Sequence, residues 1–270
     1  MTQQPTGPVV AGVDGSSGAR DALALAADEA MARVTPLVLV HVTNRDGRDR
    51  IVEEAAPWVQ ARHPTLAVTP LPVTGDDAAA ALSAQAVDGS LLVVGHRGHN
   101  GRHGDSAGSV ALRLLAMSPV PVLVYRPFES AGTADLPRPI VVGVRPDGGS
   151  EAVVEFAADE ATLRGAALHV LCASTGFQAG TDTASVELTV AETVQRWTDK
   201  HPGLDAQLLF RHGLDPAIAL ATASHGAQLV VVGAGCGPRR AQPGSVAHAL
   251  VHRAGCPVAV VPIETAEPKS

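Results

Sequence analysis

The sequence predicts two tandem five-stranded α/β domains, each a doubly wound parallel sheet, and three observations carry that reading. The second half of the chain repeats the first, short apolar runs alternate with amphipathic stretches, and glycine or proline bounds the runs. Val9-Val10-Ala11-Gly12-Val13 recurs as Ile140-Val141-Val142-Gly143-Val144, an offset of 131. Arg62-His63-Pro64-Thr65-Leu66 answers to Lys200-His201-Pro202-Gly203-Leu204, where the offset is 138. Gly75-Asp76-Asp77-Ala78 and Leu92-Val93-Val94-Gly95 keep that offset to Gly213-Leu214-Asp215-Pro216 and Val230-Val231-Val232-Gly233. Pro119-Val120-Pro121-Val122 matches Gly255-Cys256-Pro257-Val258 at 136. The second copy therefore gains seven residues early and loses two after Gly233.

In the first copy the strands read Val9–Val13, Leu37–Val42, Leu66–Leu71, Leu91–Val94 and Val122–Tyr125. Continuous apolar runs of this length suit strands buried on both faces. Ser17–Arg33 reads as the first helix, with Leu23, Ala26, Ala27, Ala30 and Met31 at helical spacing and Asp21, Asp28 and Glu29 outward. Asp49–Arg62, Asp77–Val87 and Ser109–Ala116 read as the other helices. Strict alternation of strand and helix implies a parallel sheet with right-handed crossovers. Pro127–Pro139, with its Pro, Gly and Ser, reads as the linker, so the domains are expected at 1–127 and 139–265.

Composition narrows the function. Hydrophobic residues make up 46% of 270 and aromatics only 3%, so the core must be built from Val, Leu and Ala. A net charge of −7 argues against a nucleic-acid partner, which needs a basic surface. Met1–Pro5 has neither a charged n-region nor an apolar h-region, and no apolar run reaches membrane-helix length, so a cytoplasmic protein off the membrane is expected. Cys172, Cys236 and Cys256 are odd in number and widely spaced, which excludes a disulfide framework and a CxxC clip; they read as small hydrophobes. The only lysines, Lys200 and Lys269, follow no glycine-rich loop, so a Walker A motif is absent.

Ligands of doubly wound sheets sit at the carboxyl ends of the strands near the switch point. Two strand ends of the first copy are chemically loaded. The first ends in Asp14, followed by Gly15-Ser16-Ser17-Gly18; the fourth runs into Gly95-His96-Arg97-Gly98-His99 and onward to Gly108-Ser109-Val110. Glycines let a backbone approach a phosphate, the helix after Ser109 points its positive end at an anion, and Arg97 and Arg102 add charge.

The stretch Gly95-x2-Gly98-x9-Gly108-Ser109 resembles the ATP-binding signature of the universal stress protein family, and the strand leading into Asp14-Gly15-Ser16 resembles that family's opening motif. The resemblance covers nearly the whole chain and is nearest to the tandem form of the family. It implies an adenine nucleotide α-hydrolase-like fold in which ATP is bound, with Gly12 in the site and Asp14 accepting from the adenine amino group. Val42 and Val94 would line the base pocket, Gly95, Arg97, Gly98 and His99 would wrap ribose and phosphates, and Gly108, Ser109 and Val110 would hold the phosphates. Mg²⁺ or Mn²⁺ would ride on the phosphates, because no dedicated carboxylate pair is present. The resemblance also implies that the last strands, Val122–Tyr125 and Val258–Val261, mediate pairing: an intramolecular pseudo-dimer of the two domains, with a homodimer of chains as a further expectation.

The second copy departs from the pattern. Arg145 stands where Asp14 does, and a guanidinium cannot accept from an amine. Cys236 replaces Gly98, and Pro243 removes a donor just before the helix start. The second domain is therefore expected to bind ATP poorly or not at all and to serve as a structural partner.

The leading expectation is a non-catalytic, ATP-binding stress-response protein, not an enzyme. The alternatives are a slow ATPase or nucleotidyl-transferring enzyme with His96 or His99 as base, and an interaction protein that binds no nucleotide. Asp14 could instead be a plain helix cap. His96-Arg97-Gly98-His99 superficially resembles the HIGH motif of aminoacyl-tRNA synthetases, but it follows the fourth strand and has no lysine-rich partner loop. His96, His99 and His103 lie on one loop without Cys or clustered Asp, and His248 and His252 share a helix face; both sets read as non-metal histidines.

Overall fold

Runs of Val, Leu and Ile satisfy both their backbone and their side chains in the interior of a parallel sheet, and the computed structural model places them there. It describes residues 7–43, 50–97, 109–129, 138–146, 151–175, 183–234 and 245–263. The chain divides into two compact units, Met1–Arg126 and Pro127–Ser270.

Unit 1 runs β1 (Val9–Gly12), α1 (Ser17–Ala32), β2 (Leu37–Thr43), α2 (Arg50–Arg62), β3 (Val68–Thr74), α3 (Ala78–Gln85), β4 (Leu91–Gly95), α4 (Ser109–Met117) and β5 (Val122–Tyr125). Its strands are parallel in the order β3-β2-β1-β4-β5. The chain steps outward from β1 to β3 and then returns to β4. With right-handed crossovers, this reversal sets α1 and α2 on one face and α3 and α4 on the other, with the switch point between β1 and β4. Unit 2 repeats the plan with β6 (Ile140–Val144), α5 (Glu151–Arg164), β7 (Leu168–Ser174), α6 (Thr183–Lys200), β8 (Ala206–His212), α7 (Pro216–Ser224), β9 (Leu229–Gly233), α8 (Val246–Arg253) and β10 (Val258–Val261). Its strand order is β8-β7-β6-β9-β10, again parallel. Leu37, Leu39, Leu91 and Leu92 in unit 1 and Ile140, Leu168, Leu229 and Leu250 in unit 2 are fully buried, and Cys172 and Cys256 are buried as well.

Structure and sequence reading differ at three places. Glu29 is buried, because Arg33 one turn later pairs with it; Glu160 and Arg164 repeat the pair at 3.0 Å in unit 2. Met31, expected in the core, is 38% exposed. The third strand is Val68–Thr74: Leu66 donates its N–H to His63 in the turn after α2 and plugs the core from there. Within the expected linker, the Glu129 N–H donates to the Gly255 carbonyl at 3.1 Å.

Other details repeat between the units. His63 lies 3.2 Å from Asp28, and His201 lies 3.5 Å from Asp159. Each first helix of a unit ends on a residue in the left-handed region, Val34 (φ 52°) or Gly165 (φ 58°), followed by a backbone bond from Thr35 to Ala30 or from Ala166 to Ala161.

Candidate functional site

Parallel pairing of β1 with β2 and β4 brings three strand ends to one edge of unit 1. Gly12 is level with Val40 of β2, and Ala11 with Val93 of β4, so Asp14, Val42, Val94 and Gly95 emerge beside one another. Gly12 lacks a side chain for a packing reason: a Cβ there would sit 3.1 Å from both Leu82 and Val94.

Beyond β1 the chain turns at Gly15, whose φ of +80° favours glycine. Asp14 is half-buried and its Oδ1 accepts from the Ser16 N–H at 3.0 Å, closing an Asx turn; Ser16, not Asp14, caps α1 by accepting from Ala19. A carboxylate accepts several hydrogen bonds at once, so this turn is compatible with a second donor. At the end of β2, His41 donates from Nδ1 to the Val13 carbonyl at 2.6 Å, the direction fixed because a carbonyl only accepts.

Gly95 also has a packing role. A Cβ on it would lie 3.0 Å from the Gly18 carbonyl oxygen and 3.2 Å from that of Arg97, so strand and helix meet backbone to backbone. His96 is buried, and its N–H donates to the Tyr125 carbonyl at 3.0 Å; Arg97 is exposed. Gly98, His99 and Gly108, with Arg102, His103, Cys236 and Pro243, lie outside the described residues. Ser109 and Val110 open α4, whose Arg113 forks onto Asp77, the cap of α3, at 2.7 and 2.5 Å. That pairing holds the Asp77 carboxyl below its ordinary pKa, through the Arg113 hydrogen bonds first and the Ala80 N–H second.

A cavity of about 170 Å³ opens in unit 1 beside Gly15 and Ser16, between α1 and α2, with Ile51, Glu54 and Trp58 in its wall. It adjoins the residues expected from the sequence without containing them. Unit 2 differs: a cavity of about 240 Å³ is lined by Gly143, Arg145, Ala173, Val232, Gly233, Ser245 and Val246, the counterparts of Gly12, Asp14, Val42, Val94, Gly95, Ser109 and Val110. The contribution of α2 and the His41 contact were missed in the sequence. A lone histidine inside the apolar run of β2 was the only available signal for the latter.

Among the described residues, no helix is long and apolar enough to cross a membrane, and no three His, Cys, Asp or Glu are grouped to hold a metal. His248 and His252 have ring centroids 4.7 Å apart, and burial followed by the neighbouring ring lowers the pKa of His248.

The chain is similar to Universal stress protein Rv2624c of Mycobacterium tuberculosis, 30% identical over 273 residues and covering 94% of this chain and 95% of that one. It is 28% identical to Universal stress protein Rv2623 of the same organism, over 83% of this chain and 85% of that one. A solved universal stress protein from Archaeoglobus fulgidus shares the fold at a TM-score of 0.69 and 18% identity, over 97% of this chain and 98% of that one. The sequence model of the Universal stress protein family matches twice, at residues 60–126 and 137–262, with the first match beginning after Asp14. Matched through both of its repeats, the chain belongs to the universal stress protein family.

Proposed function

We propose that unit 1 binds ATP at the carboxyl ends of β1 and β4 as a regulatory ligand in a stress response, without turnover, and that unit 2 does not take ATP. The repeat carries this reading: the counterparts of Gly12, Asp14, Val42, Val94, Gly95, Ser109 and Val110 line one cavity in unit 2, so these positions of the fold converge. The residues of unit 1 fit an adenine nucleotide. Asp14, held in its Asx turn, accepts from an exocyclic amine, Val42 and Val94 flank the base, and the N-terminal end of α4 suits phosphates. Arg97, Gly98, His99 and Gly108 complete the phosphate loop in this proposal, and Mg²⁺ or Mn²⁺ is carried by the nucleotide. Arg145 offers no acceptor to an adenine amine in unit 2.

Of the two bases an ATPase would rely on, His96 is buried, which favours binding over turnover. Pairing of the two domains through their apolar last strands, a homodimer of chains and a cytoplasmic location belong to the same proposal; sedimentation as a monomer alone would remove the homodimer. The test of the site is stoichiometry. Denatured protein should release adenine nucleotide, and calorimetric titration should give one ATP per chain, lost in Asp14→Ala. Two sites would contradict the reading of unit 2, and none would contradict that of unit 1.

A further inference from the structure

The cavity of unit 2 has a chemistry of its own. Its walls are apolar, formed by Val153, Leu171, Leu220, Val232 and Ile263. Arg145, an exposed residue, is the one charged residue among the described lining residues. The start of α8 closes one side. The first N–H groups of a helix have no partner within it. Ser245 Oγ accepts from His248, while Val246 and Ala247, which carry the two preceding N–H groups, both line the cavity. A cation and a positive helix end thus face an apolar chamber.

Size and shape narrow the ligand. At about 240 Å³ the chamber exceeds the roughly 150 Å³ of an apolar cavity known to hold benzene. It has room for one ring or branched chain with a short acidic arm. Ile263 crowds the face of Gly233, where a Cβ would collide with its Cδ1, so the glycine is not left open to a phosphate chain.

We infer that unit 2 binds a compact carboxylic acid with an apolar body, its carboxylate on Arg145 and the start of α8 and its body among Leu171, Leu220 and Val232. A planar carboxylate matches the guanidinium fork, and the apolar walls match a body that carries a single charge. Nothing in this assignment depends on ATP binding in unit 1.

Calorimetry on the full chain tests it, with 3-phenylpropionate as probe, its uncharged amide as control, and each titration repeated with excess ATP. One acid per chain is expected, unaffected by ATP, with the amide about tenfold weaker or more. Arg145→Gln should weaken the acid about tenfold and leave the amide unchanged. Ala173→Leu, which fills the chamber, should abolish both with an unchanged circular dichroism spectrum; if that variant does not fold, Arg145→Gln decides alone. Absence of acid binding, equal affinity for acid and amide, an indifferent Arg145→Gln, or displacement of the acid by ATP would each overturn the inference. Failure of ATP to bind at all would overturn only the reading of unit 1.

Discussion

Val34 is a β-branched residue at φ 52°, 92% exposed, where the second copy has Gly165 at φ 58°. The left-handed region costs a residue with a Cβ about 1–2 kcal/mol, and glycine regains most of this despite its greater freedom when unfolded. Val34→Gly should therefore stabilise unit 1 by about 1 kcal/mol in urea unfolding, and Gly165→Val should do the reverse in unit 2. The buried Glu160 makes the opposite kind of case. It is 1% exposed and bound by Arg164, whose side chain is 20% exposed, so Glu160→Ala removes a buried acid and leaves a half-buried guanidinium without it. Losing that charge-assisted hydrogen bond costs about 2 kcal/mol, and a fall in the urea midpoint with an unchanged slope would report it.

At the level of elements, α4 presents the proposed phosphate site and is tied to α3 through Arg113 and Asp77. The lowered pKa of Asp77 fixes the sign of its pH dependence. Its contribution is present above the unfolded carboxyl pKa and fades as pH falls below about 4. Asn also caps helices well, so Asp77→Asn isolates the ion pair. Because the pair is solvent-exposed, the variant should melt only slightly lower than the parent at pH 7, and the gap should narrow by pH 3; a gap constant with pH would assign the loss to the cap instead. Element boundaries were legible wherever burial set the pattern: β5 falls at Val122–Tyr125 as read, and α1 ends within a residue of its expected end. They were not legible where an apolar residue served a turn, as Leu66 does, or where a charged residue was neutralised from the next turn, as Glu29 is. Spacing shows periodicity; it does not show which polar residue will find a partner.

At the scale of the molecule the duplication separates structural demands from functional ones. Gly12 and Gly143 are both crowded by Leu and Val side chains, and Asp77 and Asp215 both cap helices, so their recurrence follows from packing. Asp14 and Arg145 occupy corresponding positions with opposite charge, and the two proposed ligand readings turn on that change. Strand ends carrying Asp14 and Gly95 could be read from the sequence because loops announce themselves through glycine. The chamber of unit 2 could not, because it is assembled from residues as distant as Gly143 and Ile263. If unit 1 alone takes ATP, the nucleotide will stabilise the halves unequally. Scanning calorimetry at about 100 times the dissociation constant should raise the stability of unit 1 by about 2.7 kcal/mol and leave the transition of unit 2 in place.

β3 and β8 each end one side of their own unit's sheet, which carries a consequence for colloidal behaviour. An edge strand is a template on which a foreign chain can extend the sheet, and proline blocks such growth by withholding a donor. Pro70 and Pro72 interrupt β3, whereas β8, Ala206–His212, contains none and relies on the exposed Arg211 and His212. Resistance to fibrillar self-assembly is therefore covalent in one half of the chain and electrostatic in the other, and it is the second half whose solubility will follow salt and acidity.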